Sequence, residues 1–255
     1  MNLSHRIGHV FVRNLVSYKR FILPTFIVSL GQPLFYLVTF GVGMGAYMGH
    51  LGGRPYLQFL VPGVIASSVM MSATFTCLYD TLVKILHERI YESLIATPAS
   101  AEDVIAGDVA WGAFRGLLSG FFMLLIAALM GVHPASVLHV LLLLLLMAFI
   151  GALFSALAMI VTSFAYNFDF FSYYTELVIT PMLFFSGVFF PLDNFPAWLK
   201  AFAGFLPLTH AVNLTRAAFY GEAFPGLFAS VLTLLLFGAA AFVLGVRLMK
   251  RRLIK

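Results

Sequence analysis

Residues 116–168 read GLLSGFFMLLIAALMGVHPASVLHVLLLLLLMAFIGALFSALAMIVTSFAYNF, without one Asp, Glu, Lys or Arg. A helix needs about 20 apolar residues to cross a hydrocarbon core, so this stretch is long enough to cross twice. Val132-His133-Pro134 stands where a tight turn between the two crossings belongs, because Pro and a polar His punctuate an otherwise apolar run. Two such helices make the chain an all-α integral membrane protein. Composition agrees: 255 residues, 62% apolar and 10% charged, with a mean hydropathy of +1.00. Soluble domains are about 45–50% apolar and about 25% charged, and a water-soluble chain of this size could not house 28 Phe. Soluble globule, disordered tail and collagen are excluded, and a lone Cys77 rules out a disulfide-stapled scaffold.

Working outward, Phe21–Gly53, Pro55–Tyr79 and Ala223–Val246 are also free of charge, and Phe170–Leu192 is interrupted only by Glu176. The expected spans are 21–46, 57–82, 104–131, 136–164, 171–190 and 226–247, six in all, so both termini share a side. Lys and Arg in short flanks set orientation. Eleven of the fifteen lie beside the termini and the 83–103 loop, three (Arg54, Lys200, Arg216) on the other side, and Arg115 within a span. Both termini are therefore expected in the cytoplasm. The net charge of +5 is an orientation signal and a contact for anionic lipid headgroups. It is not a nucleic-acid footprint, since the basic residues are dispersed and flank lipid. The first span reads as a retained anchor, because its apolar core exceeds the 7–15 residues typical of a cleaved leader.

The chain reads as one permease domain over 1–255: an interfacial helix (1–20), spans 1–5 (21–190), an outer segment (191–225), and span 6 with a cytoplasmic tail (226–255). In residues 2–19, Leu3, Ile7, Val10, Phe11 and Tyr18 form one stripe, opposite His5, His9, Arg13 and Arg20. His5 and His9 read as a wetted face, since no third metal ligand is near. In the loop 83–103, Lys84, His87, Glu88, Tyr91 and Glu92 share a polar face, opposite Leu82, Ile85, Leu86, Ile90 and Leu94. This is a docking element on the inner membrane surface or a plain amphipathic connector. Thr97-Pro98 stops it, and Ser100-Ala101-Glu102-Asp103 resembles a capping box that starts the next helix. The segment Pro191–Pro225 is too rich in Phe, Leu and Trp198 for a plain outer loop and predicts two short re-entrant helices buried against protein.

Within the spans, Gly41, Gly45 and Gly49, and again Gly112, Gly116 and Gly120, stand one turn apart and predict close helix packing. Arg115 either snorkels or meets an acid, with Asp80 or Glu176 as partner. Tyr173, Tyr174, Phe184, Phe185, Phe189 and Phe190 crowd the fifth span, as lipid-facing or core aromatics or as a wall that stacks on sugar rings or lipid chains. The chain has no G-x-x-x-x-G-K-[ST] phosphate loop, and its largest inner loop is too short for an independent domain. Any nucleotide hydrolysis must therefore sit on a partner. Asp80, Asp108, Asp169 and Glu176 gather toward inner span ends and not at the midplane, which disfavours an ion-coupled carrier. An enzyme is not expected. Tyr91 stands where H-E-x-x-H needs its second His, and Ser186 follows two Phe, not a glycine-rich turn.

The chain resembles the type-two ABC exporter permeases, and within them the nodulation protein J group of lipo-oligosaccharide exporters, over nearly its whole length. The matching stretches are QPLFYLVTFGVGMGA (32–46), FLVPGVIASSVM (59–70), TFTCLYDT (74–81), YESLIATPASAEDVIAGDVAWGAFRG (91–116), YNFDFFSYYTELVITPMLFFSGVFFPLDNFP (166–196) and LPLTHAVNLTRA (206–217). The last two are the most specific. The resemblance implies a homodimer docked on two separate ABC ATPase subunits, which hold the ATP and Mg, with no cofactor or metal on this chain. It implies a coupling helix over 84–98, with Lys84, His87, Glu88, Tyr91 and Glu92 toward the ATPase, and a re-entrant cap over 191–221. It implies an amphiphilic cargo and a bacterial inner membrane. A self-sufficient six-span carrier or channel is the alternative.

Overall fold

The structure, a computed structural model, describes residues 7–18, 31–51, 53–86 and 100–253. Among these, helix α1 (Ile7–Tyr18) is followed by α2 (31–48) and a small hairpin of β1 (His50–Leu51) and β2 (Arg54–Pro55), with His50 opposite Pro55. Then come α3 (Tyr56–Leu86), α4 (Ala101–Leu129), α5 (Val137–Phe164), α6 (169–185), α7 (Ala197–Phe205), α8 (Pro207–Tyr220) and α9 (Leu227–Leu253). Of the described helices, α3, α4, α5 and α9 are long and apolar enough to cross a membrane, and they coincide with the second, third, fourth and sixth expected spans.

The other two expected spans fare differently. For the first, 21–46, only residues from 31 onward are described, and they are helical. For the fifth, 171–190, the helix stops at Phe185. At 1.5 Å per residue, α6 is about 25 Å long, short of the roughly 30 Å core. Ser186 and Gly187 turn the chain at a φ of +76°. Residues 188–190 then run across α3, where Gly63 admits them. A Cβ at Gly63 would lie 3.0 Å from the Val188 Cα.

α3 is the centre of the bundle. Of its apolar stretch 89% is buried, against 17% for α9, which is peripheral. α3, α4 and α5 pack against one another, α9 packs on α5, and α8 lies against α3, α5 and α9. In hydrocarbon there is no hydrophobic drive between helices, so close approach through small residues decides which faces meet. Gly112, Gly116 and Gly120 of α4 serve this role. A Cβ at Gly116 would meet the Val69 carbonyl oxygen of α3 at 3.0 Å, and one at Gly120 would meet the Met147 sulfur of α5 at 2.9 Å. In the other glycine series Gly41 is in such contact, with Leu57 at 2.6 Å, while among the described residues nothing lies within 4 Å of a Cβ at Gly45 or Gly49.

The ends of the helices follow their sequence signals. The Ser100 hydroxyl accepts from the Asp103 N–H at 3.1 Å and the Asp103 carboxylate accepts from the Ser100 N–H at 3.2 Å, a complete capping box at the start of α4. At its other end Gly131, with φ +83°, allows its own N–H to reach the Ala128 carbonyl and that of Val132 to reach Ala127, both at 3.0 Å. The turn expected at Val132-His133-Pro134 is there. Among the described residues, three helices each contain one wider, π-helical turn: Thr39–Met44 in α2, Thr76–Asp80 in α3 and Thr175–Ile179 in α6. At the second, the Thr76 hydroxyl occupies the Ser72 carbonyl at 2.7 Å.

Candidate functional site

One end of the bundle, here the basal end, carries α1, the end of α3, the start of α4 and the last turn of α9. α1 is not a free surface helix. Val10 sits where a Cβ on Gly107 of α4 would come within 2.7 Å. Phe11 meets Trp111 and Phe114 edge-on at 5.7 and 5.4 Å, and Tyr18 meets Trp111 at 5.4 Å. The Arg115 guanidinium lies 4.4 Å from the Tyr18 ring centroid, a favourable cation–π position for a charge that is 7% exposed. Of the two carboxylates expected beside it, Asp80 is within its electrostatic reach, whereas Glu176 is exposed on α6.

At the same end, Asp108 of α4 is a buried anion. Its Oδ1 accepts from Lys84 Nζ of α3 at 2.7 Å and from Asn14 Nδ2 of α1 at 2.8 Å, and Arg13 donates to Asn14 Oδ1 at 3.0 Å. The Asp108 and Lys84 side chains are 2% and 11% exposed. Such a pair is tolerated only when both charges are answered, because taking an ion out of water costs several kcal/mol. The Lys84 ammonium, expected on the face toward the ATPase, here points inward to Asp108. His87, Glu88, Tyr91 and Glu92 lie outside the described residues, as does most of the expected coupling helix. Lys250 of α9 pairs with Glu102 at 3.0 Å, and Arg252 donates to the Thr162 carbonyl of α5. The basal ends of α1, α3, α4, α5 and α9 are thus tied by polar contacts.

The six aromatics of the fifth expected span separate by burial. Tyr173 and Phe184 are exposed, at 67% and 39%. Tyr174, Phe185 and Phe190 are half-buried. Phe189 is fully buried: it packs on Phe40 at 4.6 Å, Tyr36 at 5.3 Å and Phe184 at 5.5 Å, joining α2 to the end of α6. Phe189 therefore supports a surface and is not part of it. The exposed surface beside it is apolar and aromatic, with Phe35, Val38 and Val42 on α2 and Leu177 on α6.

The opposite, cap end carries α7, α8 and the hairpin. Pro62 in α3 has no N–H, which frees the Gln58 carbonyl four residues earlier. The Tyr220 hydroxyl of α8 donates to that carbonyl at 2.7 Å, and Arg216 donates to the neighbouring Phe59 carbonyl at 3.3 Å and to Gly187 at 2.8 Å. The Arg216 guanidinium also lies 4.0 Å from the Phe59 ring centroid. Burial pushes it down to about 10, and burial pushes the Tyr220 phenol up against the opposing effect of Arg54. Arg54 pairs with Glu222 and sits 3.9 Å from the Tyr220 ring centroid. His210 binds the Gly204 carbonyl of α7 at 3.0 Å and Ser230 of α9 at 3.1 Å. Sequence reasoning missed the Gln58–Tyr220 link, although a proline inside a span signals an unanswered carbonyl one turn earlier. Among the described residues no three His, Cys, Asp or Glu side chains gather to hold a metal.

Comparison with known proteins agrees with this architecture. The profile of the ABC-2 type transporter family matches residues 5–220. The chain is 37% identical over 245 residues to the Nodulation protein J of Sinorhizobium fredii (strain NBRC 101917 / NGR234), covering 96% of this chain and 93% of that protein. It is 33% identical over 247 residues to the Nodulation protein J of Rhizobium leguminosarum bv. viciae, covering 96% and 94%. It is 28% identical over 217 residues to the Inner membrane transport permease YadH of Escherichia coli (strain K12), covering 85% and 79%. A bundle of apolar helices with this likeness along its length is a membrane protein, and the chain belongs to the ABC-2 type transporter family.

Proposed function

We propose that the chain is the permease subunit of an ATP-driven exporter that moves an amphiphilic cargo, such as a lipid-linked oligosaccharide, a polysaccharide or a drug, across a bacterial inner membrane. It has six spans with both termini in the cytoplasm, so the basal end is cytosolic. It pairs with a second copy of itself and docks two ABC ATPase subunits, which carry the ATP and Mg. The segment 87–98 is the coupling helix, with His87, Glu88, Tyr91 and Glu92 as its contacts.

The observation that carries this reading is the buried Lys84–Asp108–Asn14 junction. It stands at the root of the segment 87–98 and binds that root to α1 and α4. A displacement delivered to the segment reaches three helices at once through contacts that are costly to break. The exposed faces of α2 and α6 supply the second part: apolar and aromatic surface suited to a second copy and to sugar rings or acyl chains. The cargo headgroup crosses between the two copies while its lipid portion stays in or near the bilayer.

The test is the double substitution Glu88→Lys and Glu92→Lys. Export is lost and the dimer of this chain persists. A double variant that still co-purifies with the ATPase and exports normally removes the docking assignment. Uphill transport by the purified chain alone, with no ATPase present, would establish the self-sufficient carrier instead.

A further inference from the structure

We propose that the basal half of α6 walls a water-filled vestibule, and that Glu176 at its inner end selects the cargo headgroup. Its carboxylate accepts hydrogen bonds from the hydroxyls of an uncharged glycan and turns anionic headgroups away. This rests on the export function proposed for the chain and narrows its cargo. Asp169, Ser172, Tyr173 and Glu176 are all exposed. At 100° per residue they fall within an arc of about 100° on α6, opposite the buried Phe171. Hydrocarbon does not suit such a stripe. On α9, every exposed residue from Leu227 to Leu244 is apolar, as expected of a helix against lipid. A charged side chain within a membrane faces a bundle interior or a water-filled cavity. Glu176 lies about 10 Å along α6 from Asp169, deeper than one headgroup layer of about 5–8 Å.

Among the described residues Glu176 makes no ion pair or hydrogen bond. Lys84 is engaged by Asp108, and Arg115 lies over the ring of Tyr18. The charge of Glu176 is therefore left for water and cargo. It also sits in the wider turn Thr175–Ile179, a distortion frequent at functional sites. The stripe carries two carboxylates and no cation, so its field repels an anionic headgroup. A sugar hydroxyl meets it differently: the O–H donates to a carboxylate oxygen in a short, charge-assisted bond. Ser172 and Tyr173 add hydroxyls that both donate and accept, which a sugar answers and a simple cation does not. Phe170 and Leu177 are exposed on one flank of the stripe, where the apolar part of the same molecule lies. A polar stripe with an apolar flank is the layout that fits an amphiphile with a glycan head.

The experiment uses the full chain in phosphatidylcholine nanodiscs, which leave both membrane faces open to reagent. Single cysteines are introduced as Ser172→Cys, Tyr173→Cys and, on a lipid-facing helix, Leu236→Cys; Cys77 is buried and stays. Modification rates are measured with a cationic and an anionic methanethiosulfonate. Ser172→Cys and Tyr173→Cys should react, and Leu236→Cys, exposed on α9, should not. Adding Glu176→Gln should lower the ratio of cationic to anionic rates about three- to fivefold, the effect of one screened charge about 6 Å away on two reagents of opposite sign. Dodecyl glucoside below its micellar concentration should slow the modification. Dodecyl glucuronide, with a carboxylate in place of the hydroxymethyl group, should not, and with Glu176→Gln the two should protect alike. Ser172→Cys covers the case in which Tyr173→Cys does not fold. Four results would overturn the proposal: no modification at 172 and 173, a rate ratio indifferent to Glu176→Gln, equal protection by the two glycosides while Glu176 is present, or stronger protection by dodecyltrimethylammonium. None of these readouts needs the ATPase, so they fail separately from the Glu88 and Glu92 test of docking.

Discussion

The buried charge pair at the basal end can be tested by a double-mutant cycle. In Asp108→Asn the contact with Asn14 survives, but the Lys84 ammonium, at 11% exposure, keeps only the longer-range attraction of Asp80. In Lys84→Met the carboxylate of Asp108 loses its cation while remaining 2% exposed. Breaking a buried pair from one side costs about 3–5 kcal/mol, whereas replacing both partners by neutral groups of similar volume is close to neutral. At about 2 °C per kcal/mol, the value for long chains, each single change lowers the unfolding temperature by about 6–10 °C. The double variant Lys84→Met/Asp108→Asn returns most of it. The assay is loss of the monodisperse peak on heating, in one detergent at one scan rate, because membrane-protein unfolding is seldom reversible. Two results refute the reasoning: single variants within about 1 °C of the parent, which would mean water reaches the pair, or a double variant as unstable as the two singles summed. If the junction also transmits force, the stable double variant should bind the ATPase and yet export poorly.

Three further outcomes follow from contacts elsewhere. Tyr220→Phe leaves the Gln58 carbonyl unanswered and costs about 1–3 kcal/mol; the loss shrinks in a Pro62→Ala background, where position 62 regains its N–H. Gly63→Ala pushes the backbone at Val188 off α3 and lowers thermal stability by about 1–3 kcal/mol, whereas Gly45→Ala, facing open space, leaves it unchanged or slightly raised. Cys77 is 1% exposed and its Sγ lies 3.5 Å from the Asp108 carbonyl oxygen; maleimide should fail to label it in the native protein and label it fully in SDS.

Long apolar stretches were legible because a span is a local property: composition over about 20 residues decides it. The capping box at Ser100 and Asp103 was legible for the same reason, since both partners lie within one turn. The inward pairing of Lys84 was not legible because its partner is 24 residues away in sequence. A helical wheel showed which neighbours share its face but not that Asp108 stands opposite. For Arg115 the sequence left snorkelling or a carboxylate open, and the ring of Tyr18, brought over by α1, was out of view for the same reason. Phe189 carried the same letter as Phe184. Only the turn at Gly187, which ends α6 early and lays 188–190 over α3, separates a buried support from an exposed face.

The π-helical turns in α2, α3 and α6 have a mechanical consequence. Each holds one surplus residue in a single turn. Because a residue subtends about 100° of an α-helix, passing that surplus along the rod swivels the residues between its old and new positions by about that angle, while the helix on either side keeps its register. α3 is clamped basally by Lys84, and α6 is joined through Phe189 to α2. These rods can therefore re-aim a stripe of side chains by handing slack from turn to turn, with no need to unwind or to slide through the bilayer.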